Sequence, residues 1–579
     1  MKKIISIILT LAALLGCMTA LSSCGAPKNA GAEISVYLGE EIYDFDPTDY
    51  YVDANQEAVM GLLFEPLFNL SKDGDLEKDA MAKGYRVDKE LRQIVIELRE
   101  SYWSDEKQVA AEDFVYAWRN VLLDPTRANA SAALLYDIEN AADIKRGEKS
   151  VYELGAVASA TDEITITYRE GADVQRLLKN LASVATSPIR QDIYDTASGY
   201  FTKVINYAVT NGPFKIATVD YAQGSFTVAR NVGYHQPTTE KNFTKQVKPA
   251  ELISSFNIAG NTAPVTLKDL EEKVVFYMSD ATLADRKENE RDAKRADALS
   301  TYTYVFNVEN PLFAIKEVRA ALSMALDREA IVSAITFGKA ATGFLTESYK
   351  DIRKNNALIS TTAKTSEAQE LLAGVDFTGI DKSFTLTVNG DEESVAIANL
   401  AKSAWGALGF TVTVETVNEV TTNIVDFKNG EKTAIKDSAL QLLAKSAASG
   451  KRDFDVIGID WMLYSSDAFV PLTAFSTGFN GNGTKFGPEG LFGSIGGWKS
   501  DAYDALIKEA YEATDKSVRN EKLRAAEKLM LDEAAVAPVV FNQSFYFTSR
   551  DLSGVEFDGF GNAVFTDVSQ KNYEKYLND

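Results

Sequence analysis

The sequence predicts an α/β chain built from more than one domain. Residues Phe384 to Val414 run strand, helix, strand: FTLTV, a helical stretch to Leu408, a stop at Gly409, then FTVTV. A crossover of this kind joins neighbouring parallel strands. Period-two and period-3.6 apolar patterns alternate along the rest of the chain. The 579 residues also exceed the roughly 250–300 that a single hydrophobic core accommodates.

Ile34 to Leu38 alternates apolar and polar residues and reads as a strand, followed by a turn at Asp46-Pro47. Ala58 to Leu70 reads as a helix broken at Pro66. The SKDGD turn that follows has the start of a calcium loop, but Ala80 stands where the bidentate glutamate is required, so calcium is excluded there. Leu91 to Leu98 is a second alternating strand. From Ala111 to Leu123 a helix places Phe114, Trp118, Val121 and Leu122 on one face, and Asp124-Pro125 ends it. A further helix starts near Lys316, with Val318, Ala321, Leu322, Ala325 and Leu326 as its stripe. Lys522 to Glu533 is helical, and Val536 to Phe541 is a strand containing Pro538. The charged run Asp285 to Arg295 reads as a solvated helix or loop, and FNGNGTKFG as a mobile loop. No internal repeat is present.

Composition narrows the function. A net charge of −23 argues against nucleic acid, which needs a basic face, and against electrostatic attachment to anionic lipid. The single histidine, His235, excludes HExxH and multi-histidine metal sites and most catalytic triads. It lies in the turn-like RNVGYHQP, where a solvent-facing loop role is expected. No GxSxG, Walker or dinucleotide-binding fingerprint occurs. No catalytic residue, metal or cofactor is expected.

The N-terminus has Lys2 and Lys3, an apolar run from Ile4, and then Leu21-Ser22-Ser23-Cys24, the layout of an export signal. LSSC is similar to the lipobox of bacterial lipoproteins. Lipidation at Cys24 would place the protein on the outer face of the cytoplasmic membrane, at the cell surface or in the periplasm, and several acyl chains on one terminus anchor firmly. Leu14-Leu15-Gly16-Cys17 also fits, but cleavage there would leave Met18 to Leu21 on the mature surface, whereas Cys24 leaves the polar tether GAPKNAG. The remaining reading is an uncut anchor, with an apolar run near the lower limit of about 17 residues for a span. With Cys24 acylated no thiol remains for a disulfide or a nucleophile.

Six blocks of sequence resemble the family 5 solute-binding proteins of ABC importers, the oligopeptide-binding branch most of all. They are Leu63-Phe64-Glu65-Pro66-Leu67 ("LYEGL"), Trp103-Ser104-Asp105 with Ala111 to Arg119 ("WSDG…TAEDFVYSWRR"), and Val209 to Phe214 ("VTNGAY"). Then come Val318 to Val332 ("VRQALSYAIDREAIV"), the β-α-β unit with Trp405, and Ala525 to Val539. Where the family carries a helix-capping Thr this chain has Ala110, at a cost of about 1 kcal/mol. The family's "SGEID" turn is not recognisable between Glu271 and Thr301.

The resemblance implies a two-lobed, periplasmic-binding-protein-like α/β fold (type II, class C) with an extra domain inserted in lobe one. The implied division is a signal peptide 1–23, a tether 24–32, lobe one from 33–64, 188–297 and 546–579, the insert 65–187, and lobe two 298–545. A monomer would close over an oligopeptide or another small solute and deliver it to an ABC permease, whose ATPase is another chain. One cleft wall would be Tyr51, Val52, Asp53 and Ala54. The other, matching the family's "GWGPDYNDP", would be Asp460, Trp461, Met462, Leu463, Tyr464 and Asp467. Tyr464 falls where the family's amine-binding acid belongs, and a tyrosine cannot pair with an ammonium as a carboxylate does. Asp460 and Asp467 are the nearby substitutes. The missing acid also leaves open an oligosaccharide carrier, or a surface receptor of the same fold.

Overall fold

The computed structural model describes residues 31–39, 46–48, 54–77, 80–196, 208–220, 225–235, 246–256, 265–353, 356–417, 419–426, 431–436, 438–440, 442–443, 452–463, 465–484 and 496–575. Cys17, Cys24 and the rest of the N-terminal segment lie outside them. The chain begins with β1 (Glu33–Gly39) and then forms a separate antiparallel sheet from β2 (Ala82–Asp88), β3 (Gln93–Leu98), β4 (Ala156–Ala160) and β5 (Glu163–Thr167), in the order β2-β3-β5-β4. It returns to β1 through β6 (Phe214–Asp220), β7 (Ser225–Arg230), β8 (Glu251–Phe256) and the short β9 (Tyr277–Met278). These strands lie in the order β6-β7-β8-β1-β9, with β1 parallel to both β8 and β9.

β10 (Lys294–Phe306) leads into a second half, joined by β11 (Lys339–Ala340), β12 (Ser383–Val388) and β13 (Thr411–Thr416). A hairpin of β14 (Glu419–Asp426) and β15 (Glu431–Lys436) precedes β16 (Val456–Met462), and β17 (Val536–Thr548) closes the sheet. The order β13-β12-β16-β10-β17-β9 makes β17 the strand common to both halves. Its end, Phe547 and Thr548, pairs with β9, while Val536 to Phe541 pairs with β10. The β10–β17 ladder slips between Asp297 and Thr301. Such an irregularity bends the strand that carries the extra residues and adds local twist, and here that strand is β10, at the level where it passes between the halves.

The β-α-β unit forms as its pattern predicts. β12 and β13 are parallel, and the helix Glu392–Ala407 between them is capped by Asp391, whose Oδ1 accepts from Ser394 N at 2.8 Å. Gly409 sits at φ +88°, where a side chain would be strained. Trp405 is fully buried, rests edge-on against Tyr304 at 5.2 Å, and donates its indole N–H to Leu322 O at 2.9 Å. The helix Ala111–Ala117 forms despite Ala110 at its cap, because Asp113 Oδ2 accepts from Ala110 N at 2.9 Å and from Trp103 Nε1 at 3.0 Å. It passes into one wide π turn, Trp118–Leu122.

Two arginines of the family-like blocks tether the fold. Arg319 donates to the carbonyls of Phe313, Glu533 and Ala534 at 2.6, 2.8 and 3.0 Å. Arg328 donates to Pro538 O at 2.7 Å and Ser360 O at 3.0 Å, and burial lowers it to about 10. Pro538 stands at a second slip of the β10–β17 ladder, where its missing N–H is tolerated.

Candidate ligand-binding cleft

β16 lies against β10 in antiparallel register, with Gly458 opposite Tyr304 and Asp460 opposite Tyr302. A Cβ on Gly458 would meet the Tyr302 hydroxyl at 2.5 Å and Tyr304 Cε1 at 2.9 Å, so only glycine lets the tyrosine side chains approach. Side chains then alternate along the strand end. Asp460 is exposed and, with Ile459 and Met462, lines a cavity of about 300 Å³ between the two halves of the sheet. The opposite wall comes from β1, β9 and the 557–565 segment, including Leu38, Tyr277 and Phe560. Asn542 Nδ2 donates to Asp460 Oδ1 at 2.6 Å and to Ser300 Oγ at 2.8 Å, directly beside the slip in β10.

Carboxylates dominate this cavity: Asp280, Asp391, Glu393 and Asp460, with Arg286 as the counter-charge. Arg286 pairs with Glu393 and stacks over the Phe545 ring at 4.5 Å. Burial raises both Asp280 and Glu393 above the ordinary carboxylate range despite that arginine. The Tyr302 hydroxyl also lines the cavity, is buried, and has no hydrogen-bond partner among the described residues. Arg286 corrects the reading of the 285–295 run as wholly solvated. Its partners, Glu393 and Phe545, are remote in sequence, so no local signal announces them.

The structure separates the other expected wall residues. Trp461 is turned into the core, stacked on Phe475 at 5.0 Å and edge-on to Phe344 at 5.6 Å. Leu463 is buried, and its N–H bonds to Leu299 O at 2.9 Å. Asp467 is buried beside a larger cavity of about 1170 Å³. Its Oδ2 accepts from Arg519 Nη2 at 2.8 Å and lies 3.5 Å from Arg176 Nε, and its Oδ1 accepts from Phe469 N at 3.2 Å. Burial alone would raise this carboxyl, but Arg519 and Arg176 outweigh it and hold it below its ordinary value. Asp467 therefore already faces two guanidinium groups, one from each side of the cleft. Tyr51, Val52, Asp53 and Tyr464 lie outside the described residues. Ala54 opens the helix Ala54–Leu63, its side chain also outside them.

His235 is a correction. It does occupy a turn, at φ +51°, but its ring is buried, stacked on Tyr234 at 3.9 Å, with Nε2 2.7 Å from Glu65 Oε2. The start of FNGNGTKFG is also held rather than loose: Gly481 O accepts from Asn129 N at 2.8 Å, and Thr484 N donates to Pro125 O at 2.7 Å. Glu57, Asp558 and Asn562, which the sequence did not single out, converge on a third cavity of about 860 Å³. Among the described residues no group of three or more His, Cys, Asp or Glu could hold a metal ion, and no helix is long and apolar enough to cross a membrane.

Residues 78–483 match the bacterial extracellular solute-binding proteins, family 5. The chain belongs to this family. Its members bind solutes outside the cytoplasm for ABC importers, and the fold is their two-lobed α/β fold. Among family relatives, the dipeptide-binding protein DppE of Bacillus subtilis is 25% identical over 567 residues, covering 93% of this chain and 95% of the relative. Oligopeptide-binding OppA of Listeria monocytogenes, solved bound to peptide, superposes with a TM-score of 0.76 at 18% identity, covering 94% of this chain and 99% of that one. Escherichia coli MppA, a murein tripeptide binding protein, gives 0.72 at 21% identity, covering 93% and 98%. An unliganded open form of MppA gives only 0.55 at 21% identity, covering 94% and 99%.

Proposed function

We propose that this protein captures oligopeptides in the cleft between its lobes and hands them to an ABC permease. It is a monomer, fixed by lipid on Cys24 to the outer face of the cytoplasmic membrane, and it carries out no bond chemistry on its cargo. The observation that carries this reading is the register slip between β10 and β17, with a cavity bearing four carboxyl groups at its side. A crossing strand that bends at this level can let the lobes open and close, and a ligand that prefers the closed form shifts that equilibrium. Peptides present the same backbone groups whatever their sequence, so a cleft edge can hold many of them.

Within the cleft, Asp460 takes the amine-facing role that Tyr464 leaves vacant. Asp460 is exposed to the cavity and oriented by Asn542, whereas Asp467 is engaged by Arg519 and Arg176. Met462 lines the cavity beside Asp460. Native mass spectrometry of the protein purified under gentle conditions tests the reading. A ladder of co-purified peptides supports it, while a bound oligosaccharide, or turnover of any added peptide, overturns it. Asp460→Asn then weakens binding of peptides with a free amine and spares N-acetylated ones.

A further inference from the structure

Glu57 occupies the first turn of the helix Ala54–Leu63 and is almost wholly buried, 4% exposed. Glu57 lines the 860 Å³ cavity, and its buried Oε2 has no hydrogen-bond partner among the described residues. A buried carboxylate oxygen without a donor is costly, so it marks a place where something else can bind. Across from it stands Asp558, whose Oδ1 accepts from Phe560 N at 2.9 Å and Asn562 N at 2.8 Å. Asn562 Nδ2 lies 3.4 Å from Asp558 Oδ2, and Asn562 lines the same cavity as both carboxyls. The cavity wall holds seven carboxyl side chains against Arg99 and His235. One of the seven, Glu65, is already spoken for by Tyr234, Asn69 and His235.

We propose that Glu57 and Asp558 form a receptor for a primary ammonium group of the bound ligand. An ammonium has three donors and no acceptor, which matches an unpartnered carboxylate oxygen beside a second carboxylate. The site is continuous with the cleft: Ala58, Leu62, Phe557 and Phe560 line both this cavity and the one at Asp460, and Asp558 also lines the one at Asp467. The electrostatics of the pair agree with this role. Burial, then the Asp558 charge, push Glu57 up to about 8, and burial pushes Asp558 up to about 6. Glu57 is thus protonated at neutral pH until a cation arrives, and entry of an ammonium releases that proton. The assignment rests on the peptide reading for the source of the ammonium, which is a lysine side chain, the chain's own N-terminus belonging to Asp460.

The test is isothermal titration at neutral pH, in buffers of different ionisation heat, with Ala-Ala-Lys-Ala-Ala, its norleucine counterpart, and its N-acetylated form. The wild-type protein is expected to bind the ammonium-bearing peptide about tenfold more tightly than the form lacking the relevant ammonium, with release of a proton. Loss on norleucine substitution that disappears in Glu57→Gln supports the site, whereas loss on acetylation belongs to Asp460 and persists in Glu57→Gln. Glu57→Gln abolishes both the preference and the proton release while keeping the affinity for the form without the ammonium. Equal binding of the lysine and norleucine peptides, without proton release and unchanged in Glu57→Gln, overturns the assignment and leaves the peptide reading intact. If none of the peptides binds, the peptide reading fails, and butylammonium chloride decides the site alone. A fall in the Glu57 carboxyl titration midpoint, followed by carbon-13 NMR, supports it; an unmoved midpoint overturns it.

Discussion

Arg176 Nε lies 3.5 Å from Asp467 Oδ2, and Arg519 Nη2 holds the same oxygen at 2.8 Å. Arg176 also pairs with Asp137 at 2.6 Å, and Asp137 with Arg169 at 2.7 Å. A buried chain of alternating charge thus runs from the segment between β1 and β6 into the second half of the molecule. Removing one member leaves its partners charged and unpaired, which typically costs about 3–5 kcal/mol. Asp467→Ala should lose stability of that order in urea unfolding, and Asp467→Asn less, since its amide oxygen keeps the bond to Phe469 N. The pair also fixes an acid limb. Because the folded carboxyl lies below its ordinary value of 3.8, its stabilisation is whole above that pH and fades as pH falls further. Asp467→Asn should flatten the acid end of a stability–pH curve; an unchanged acid limb would show that the tie carries no linkage.

Glu57 imposes the opposite dependence. Its folded value of about 8 lies above the ordinary 4.5. Below pH 4.5 both folded and unfolded chains hold the proton, and the contribution is whole. Between 4.5 and about 8 the unfolded chain has shed the proton while the folded chain keeps it, so stability declines across that window. Burial sets this first, then the Asp558 charge, which also raises Glu57, while Asn562 lowers it. Glu57→Gln should match the wild type at low pH and melt higher at pH 8 and above. A thermal-melt series across that range is the measurement, and parallel curves for the two proteins would refute it.

Gly458 and Tyr302 make a paired prediction. A Cβ at Gly458 comes within 2.5 Å of the Tyr302 hydroxyl, and overpacking of this kind costs typically about 1–3 kcal/mol. That hydroxyl is buried without a partner among the described residues, so deleting it is near neutral for stability. Tyr302→Phe should therefore leave the melting temperature almost unchanged, Gly458→Ala should lower it, and the double variant should recover part of the loss. Additive losses in the cycle would mean that Tyr304, 2.9 Å from the same point, sets the limit instead.

Local chemistry was legible wherever it closed within a short stretch. The β12–helix–β13 unit followed from its two periods and Gly409, and the helix at Ala111 followed from its apolar face although Ala110 cannot cap it. Glu112 and Asp113 in its first turn supplied what the cap lacked. The two-lobed fold followed from six resembling blocks in order. What stayed hidden depends on pairings remote in sequence. The bend in β10 appears only once β17 lies beside it, and Glu57 gains meaning only from Asp558. Arg319 and Arg328 were visible as motif residues, but their use as carbonyl tethers was not, since their acceptors include Ala534 and Pro538 more than two hundred residues away. The turn at His235 was legible from its glycine and proline neighbours; its burial against Glu65 was not.

Glu527 supports the cleft from behind. It is fully buried, and its Oε1 accepts from Phe344 N and Leu345 N at 3.0 Å each and from Arg353 Nη1 at 3.2 Å. Burial raises this carboxyl more than Arg353 and the two N–H groups lower it. Phe344 in turn packs edge-on against Trp461 at 5.6 Å. Glu527→Ala orphans two backbone donors and one buried guanidinium, so a loss of about 3–5 kcal/mol is expected. Replacing both partners, as in Glu527→Leu with Arg353→Met, removes the stranded charge and should cost much less than the sum of the single changes. The single variant should also let the 344–345 turn relax away from Trp461, changing tryptophan emission before unfolding begins. Strictly additive losses, with emission unmoved, would show that Glu527 neither couples to Arg353 nor positions Trp461.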